Sequence, residues 1–248
     1  MYSNLSVVDE QFFEKKITRK NKKGKKVNTG LVLNKINPIT KNQVQTFIEY
    51  ADDKHLLLSG SAGTGKTFIS LYLATNEILS NHSTKDKLVI VRSVVPTRDM
   101  GFLPGNQKEK QKAYEAPYYR IYSELFRRGD AYECLKRRGK VDFITTSFIR
   151  GITINDSIVV VDECQNLNYH ELDSIITRIG NNCKIIFCGD FNQSDFERDN
   201  ERKGFVDFMK IIKSIRDFSS IAFTESDIIR SDLVRNYIIA KQRYGIYT

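Results

Sequence analysis

Four cysteines and three histidines are all that 248 residues offer to a thiolate or imidazole centre. Cys134, Cys164, Cys183 and Cys188 form no CxxC pair, and none stands at zinc-ligand spacing from His55, His82 or His170. That absence sets aside zinc and dithiol chemistry and predicts reduced packing cysteines in a cytosolic protein. No signal-type apolar stretch opens the chain, and no run approaches the ~20 apolar residues that a bilayer span requires. A membrane role is therefore not expected. Internal repeats are missing too, and low complexity is confined to one basic segment near the N-terminus.

What remains is a chain that is 40% hydrophobic and long enough to bury one α/β core, but not two large domains. Lysine and arginine number 39 against 30 aspartate and glutamate, a formal charge of +9, which favours polyanions as partners. Eight of the twelve residues from Lys15 to Lys26 (KKITRKNKKGKK) are basic. Such density repels itself and stays solvated, so the segment reads either as a nucleic-acid contact, the reading preferred here, or as a plain lead-in. Residues 1–36 are expected to form a flexible arm and 37–248 a single domain, with a helical, basic insertion at about 106–140.

Residues 60–67 read GSAGTGKT, the GxxxxGK[ST] phosphate-binding spacing. Apolar Leu56, Leu57 and Leu58 precede it as a short strand, and Phe68 to Leu79 follow with helical spacing, which is the context the motif requires. Gly60, Ser61, Ala62, Gly63, Thr64, Gly65, Lys66, Thr67 and Phe68 are the expected nucleotide-binding residues. Glycines let backbone N–H groups face a phosphate, the new helix points its positive end there, Lys66 adds charge, and the Thr67 hydroxyl suits magnesium. ATP and Mg2+ are thus the expected cofactors.

Further strand patterns appear at Lys87 to Arg92, Val141 to Thr145, Ser157 to Val161, Lys184 to Cys188 and Ser220 to Phe223. Helical patterns cover Lys108 to Gly139 in pieces, Tyr169 to Ile179, Phe205 to Ile215 and Asp232 to Tyr244, with a loop from Pro96 to Gly105. Alternation of this kind implies a three-layer α/β/α fold with a mainly parallel sheet, and the phosphate-binding loop makes it a P-loop NTPase. The apolar strand at 158–161 ends in Asp162-Glu163. Asp162 is expected to face magnesium beside Thr67, and Glu163 to act as general base on the water in line with the γ-phosphate. The next strand ends in GDFNQ, so Asp190 and Gln193 emerge at the same edge, Gln193 as a γ-phosphate sensor. Gln43, on a helix capped by Thr40, is a candidate for the adenine edge. For the positive charge that phosphoryl transfer needs, Arg178, Arg230 and Arg150 compete, and at least one is expected to serve a neighbouring subunit.

These motifs in this order resemble the PhoH-like family of P-loop ATPases, related to the first core domain of superfamily 1 helicases. The resemblance runs through VRSVV at 91–95, GFLPGNQKEK at 101–110, PYYRIY at 117–122, SFIRGITINDSIVVVDECQN at 147–166, LDSIITRIG at 172–180 and DIIRSDLV at 227–234. Departures are Ser93 for proline, Ile152 for a second arginine, Cys164 for alanine, and Ser231-Asp232 for a His-Pro pair. The resemblance implies a RecA-like core, ATP hydrolysis, homo-oligomeric rings, often hexamers, and a role in RNA metabolism. The expected function is an ATPase acting on RNA or single-stranded DNA, with Arg127 to Lys140 as a phosphate contact and with Tyr114, Tyr118, Tyr119 and Tyr122 either as base-stacking faces or, the commoner use of such spacing, as core or interface residues. A nucleotide-dependent RNA-binding module with little turnover is the alternative. A small-molecule kinase ranks third, since no acceptor pocket or lid is legible.

Overall fold

The computed structural model describes residues 30–93, 107–190 and 199–244. The loop from Pro96 to Gly105, the basic segment from Lys15 to Lys26 and Gln193 lie outside them. Strands β1 (His55–Gly60), β2 (Lys87–Arg92), β3 (Val141–Thr145), β4 (Ser157–Asp162), β5 (Lys184–Gly189) and β6 (Phe218–Phe223) form one sheet in the order β3-β2-β4-β5-β1-β6. Every pairing is parallel. LVIV, IVVV and IIF run apolar without alternation because both faces of the central strands are covered.

Successive β1 residues divide between two cores, as the two-residue strand period demands. Leu56 and Leu58 pack with Ile90, Val160 and Ile186 under α1 (Lys41–Ala51), α2 (Lys66–Leu79), α3 (Gln107–Phe126) and α4 (Ala131–Arg137). Leu57 packs with Val89, Val159 and Phe187 under α5 (Thr146–Ile149), α6 (Tyr169–Ile176) and α7 (Asp199–Ser214). The fold is thus the expected three-layer α/β/α form. A last helix, α8 (Asp232–Arg243), buries none of its residues. Leu31, Leu33 and Ile36 pack against the first core, ahead of residue 37.

The core reading of the tyrosines holds and one helix boundary changes. Tyr114, Tyr118 and Tyr122 are not stacking faces: their spacing puts them on one side of α3, and all three are buried in the first core. Tyr119 is half-buried, with its hydroxyl donated to Glu133. Helix α6 stops at Ile176 rather than Ile179 because the chain turns to run beside the approach to β4, where Ile154 N donates to the Arg178 carbonyl at 2.8 Å. The basic cluster at the end of α3 and along α4 lies where β2 and β3 begin. Lys140 Nζ donates to the Asp86 carbonyl there at 2.8 Å, at the sheet edge opposite the phosphate loop. Among the described residues no helix is long and apolar enough to cross a membrane.

Candidate nucleotide-binding site

β1 ends at Gly60, and the chain turns through Gly60, Gly63 and Gly65 at φ of 128°, 79° and 85°. A Cβ on Gly60 would stand 2.2 Å from the Phe223 carbonyl oxygen, so only glycine lets the loop leave the sheet beside β6. Gly65 starts α2 in the left-handed region without a side-chain cap, which leaves the first N–H groups of the helix for an anion. Lys66 curls back beneath the loop. Its Nζ donates to the carbonyls of Gly60 at 2.6 Å and Ser61 at 2.7 Å, and to Thr64 Oγ1 at 3.2 Å. Burial pulls the Lys66 ammonium below its ordinary pKa, with the Asp190 carboxylate the largest opposing influence.

Three strand tips meet at this loop. Thr67 Oγ1 donates to Asp162 Oδ1 at 2.7 Å, and Tyr118 Oη donates to Asp162 Oδ2 at 2.9 Å. Arg92, opposite Asp162 in the β2–β4 register, brings its positive charge beside Asp162 and the Tyr118 hydroxyl. Burial, then the adjoining Glu163 charge, pushes the Asp162 carboxyl above its usual range, against the Thr67 hydroxyl, Arg92 and Tyr118. Glu163 turns out of β4 at φ 51°, and its Oε2 accepts from Gln165 Nε2 at 2.6 Å. Gln165 Oε1 accepts from Asp190 N at 3.0 Å, and Asp190 Oδ2 accepts from Ala62 N at 3.1 Å. The tips of β4 and β5 and the loop after β1 are joined by these bonds.

The other expected residues divide. Phe68 packs its ring against the first core. Gln43 is buried with its amide engaged inside the protein: Nε2 donates to the Thr64 carbonyl at 3.2 Å, and Oε1 accepts from Ile39 N at 2.9 Å. These two bonds brace the loop. Arg230 lies over the loop of its own chain, since a Cβ on Gly63 would stand 2.9 Å from Arg230 Cγ, and Ile229 N donates to the Gly63 carbonyl at 3.1 Å. Arg178 sits at the opposite edge, one strand length or roughly 20 Å from the Asp162 end of β4. Arg150 is exposed after α5, which follows the C-terminal end of β3. Tyr118, Arg92 and Gln165 were not expected here. The spacing of Tyr114, Tyr118 and Tyr122 signals a buried helix face, but the Arg92–Asp162 register is visible only once the sheet is assembled.

The donor set fits a magnesium nucleotide. Thr67 and Asp162 place a hydroxyl and a carboxylate side by side at the mouth of an uncapped helix. Among the described residues no group of three or more His, Cys, Asp or Glu forms an all-protein metal cage. Magnesium held by one or two side chains plus phosphate oxygens needs none.

The family model described as PhoH-like protein matches residues 35–242. A PhoH-like protein of Synechocystis is 31% identical over 185 residues, covering 74% of this chain and 55% of its own. Protein PhoH of Escherichia coli K12 is 31% identical over 210 residues, covering 82% and 57%. The chain therefore spans a little over half the length of these relatives. Among solved structures, the large terminase of a thermophilic bacteriophage superposes with a TM-score of 0.50 at 13% identity, covering 84% of this chain and 50% of that one. That likeness is one of fold. Carrying the phosphate loop after β1 and the acidic pair after β4, this chain belongs to the PhoH-like protein family.

Proposed function

We propose that the chain hydrolyses ATP with magnesium and couples turnover to movement on, or remodelling of, RNA or single-stranded DNA. The observation that carries this reading is the joining of three strand tips around one loop: Lys66, the Asp162-Glu163 pair and Asp190 all converge there. The loop N–H groups and the start of α2 bind the phosphates, and Lys66 exchanges the Gly60 and Ser61 carbonyls for phosphate oxygens. Thr67 and Asp162 hold magnesium, which when bound neutralises charge on the phosphate oxygens. Glu163 takes a proton from water as the water oxygen bonds to the γ-phosphorus and the bond to the bridging oxygen breaks. Arg230 supplies positive charge in the same chain, Arg178 only to a neighbour, and Gln193 senses the γ-phosphate.

Residues 37–248 act as one ATPase unit, onto whose core Leu31, Leu33 and Ile36 also pack, with the basic segment from Lys15 to Lys26 ahead of it. Coupling to a polynucleotide then requires self-association, with a hexameric ring as the working form. The arm segment from Lys15 to Lys26 supplies phosphate contacts, together with exposed Arg127, Arg137 and Arg138. Arg128 and Lys136 are ion-paired, with Asp130 at 2.5 Å and Glu115 at 2.5 Å. One feature favours a second reading, a nucleotide-dependent RNA-binding module with little turnover: the Gln165 amide engages the carboxylate that must accept the proton.

Phosphate release is the test, measured with and without RNA and single-stranded DNA on material whose subunit number is known by mass. Turnover that rises with one of the polymers supports coupled hydrolysis. ATP binding without turnover in any arm supports the module instead.

A further inference from the structure

A fully buried tyrosine whose hydroxyl reaches a carboxylate at a strand tip is not needed for packing. Tyr118 has no exposed surface, and the rings of Tyr132 and Phe143 stand 6.5 and 5.7 Å from its own. Phenylalanine would fill the same space. Burying the extra hydroxyl is unfavourable unless it is bonded, so its partner indicates its use. Tyr122, one turn further along α3 and also fully buried, pairs its hydroxyl with the neutral Thr75 hydroxyl at 2.9 Å, within the core. Tyr118 instead donates to Asp162 Oδ2, while Thr67 donates to Oδ1.

We propose that Tyr118 is a positioning residue for magnesium-nucleotide binding, acting by fixing the rotation of the Asp162 carboxylate opposite Thr67. The proposal rests on the reading of Thr67 and Asp162 as the magnesium pair. With one bond to each oxygen the carboxylate cannot swing about its χ2 axis, and its remaining lone pairs keep one direction. Arg92 stands opposite Asp162 in the β2–β4 register, so its positive charge lies beside both the Tyr118 hydroxyl and the carboxylate. Helix α3 is thereby tied to the strand tip through one phenol. Partners one bond removed from a metal ligand alter metal affinity by roughly 10–100-fold when lost.

Tyr118→Phe removes that bond and leaves the ring. Binding of a fluorescent ADP analogue is titrated against MgCl2, and Mn2+ binding to the ADP complex is followed by electron paramagnetic resonance. We expect affinity in EDTA within twofold of wild type, and a metal midpoint raised about tenfold in both measurements. Tyr122→Phe serves as the packing control and is expected to leave the midpoint unchanged. An unshifted midpoint in Tyr118→Phe, or an equal shift in both variants, overturns the proposal. Should Tyr118→Phe not fold, Tyr118→Met, which likewise lacks the hydroxyl, must raise the same midpoint, and no shift there overturns it equally. The readout is binding, so a wild type that binds magnesium-ADP tightly but does not turn over ATP defeats the ATPase reading and leaves this one standing. Wild-type binding indifferent to magnesium defeats this one.

Discussion

Thr67 Oγ1 and Asp162 Oδ1 lie 2.7 Å apart although β5 separates the strands that deliver them. The pair exists only when β4, β5 and β1 are in register, so this hydrogen bond reports the state of the whole central sheet. The tip of β5 takes part as well, because Asp190 bonds Ala62 on one side and Gln165 on the other. A site assembled in this way separates easily into binding and chemical roles, since different strands carry them.

Lys66 is the binding test. Its ammonium already has three oxygen partners in the loop, so a triphosphate replaces good bonds with better ones to full negative charge. Lys66→Ala removes the charge and leaves the Gly60 and Ser61 carbonyls without that donor. Affinity for ATP should fall by about 3 kcal/mol, on the order of a hundredfold. Isothermal titration calorimetry measures it, and a change under threefold would take Lys66 out of phosphate binding.

Glu163→Gln should separate turnover from binding. The amide oxygen of the variant still accepts from Gln165 Nε2, so the geometry at the end of β4 is retained while the proton acceptor is lost. Turnover is expected to drop by roughly 10²–10⁴-fold with ATP affinity within a few-fold of wild type. Filter binding should then find ATP retained on the protein. Hydrolysis at the wild-type rate would remove Glu163 from its role.

Much of this site is legible in the sequence because its parts are local. GSAGTGKT carries its own glycines, and IVVVDE announces a buried strand that ends in acid. Arg92 and Tyr118 are not legible, since what gives them meaning is a register between β2 and β4 and the packing of α3 over the sheet, both set by the assembled core. Gln43 is ambiguous for a different reason: an amide on a helix looks equally suited to a base or to a backbone, and its bond to the Thr64 carbonyl of the loop appears only in the fold. The tyrosines of α3 look ready to stack until the face opposite them is counted as core.

Position decides between two of the arginines. Arg230 packs on Gly63 of its own chain, whereas Arg178 is at the far sheet edge, away from the loop of its own chain. Either substitution to alanine should lower turnover on the order of a thousandfold if its guanidinium meets the transferring phosphoryl group. Mixing tells them apart. Arg178→Ala mixed with Lys66→Ala should recover activity, since intact Arg178 and intact Lys66 come from different chains. Arg230→Ala mixed with Lys66→Ala should recover none. Recovery in the Arg230 mixture would contradict its assignment to the same chain.

Stability should depend on a charge cluster at the other end of the sheet. Glu77 accepts from the Tyr50 hydroxyl at 2.5 Å and pairs with Lys85 at 3.0 Å and Lys184 at 3.4 Å, while Lys184 also lies 3.0 Å from Asp53 and 3.9 Å from the Tyr50 ring centre. Burial opposes ionisation of Glu77, yet Lys184, then Lys85 and Tyr50, hold its carboxyl below the ordinary range. A carboxylate with a depressed folded pKa stabilises the protein above its unfolded value, about pH 4.3, and loses that contribution as pH falls toward the folded value. Breaking a buried pair typically costs about 3–5 kcal/mol, but Asp53 still compensates Lys184, so Glu77→Gln should cost about 2 kcal/mol at pH 7. Urea unfolding should show the same gap between variant and wild type at pH 6 and pH 7, narrowing below pH 4. A gap that stays constant into acid would mean that the cluster contributes by packing rather than by charge.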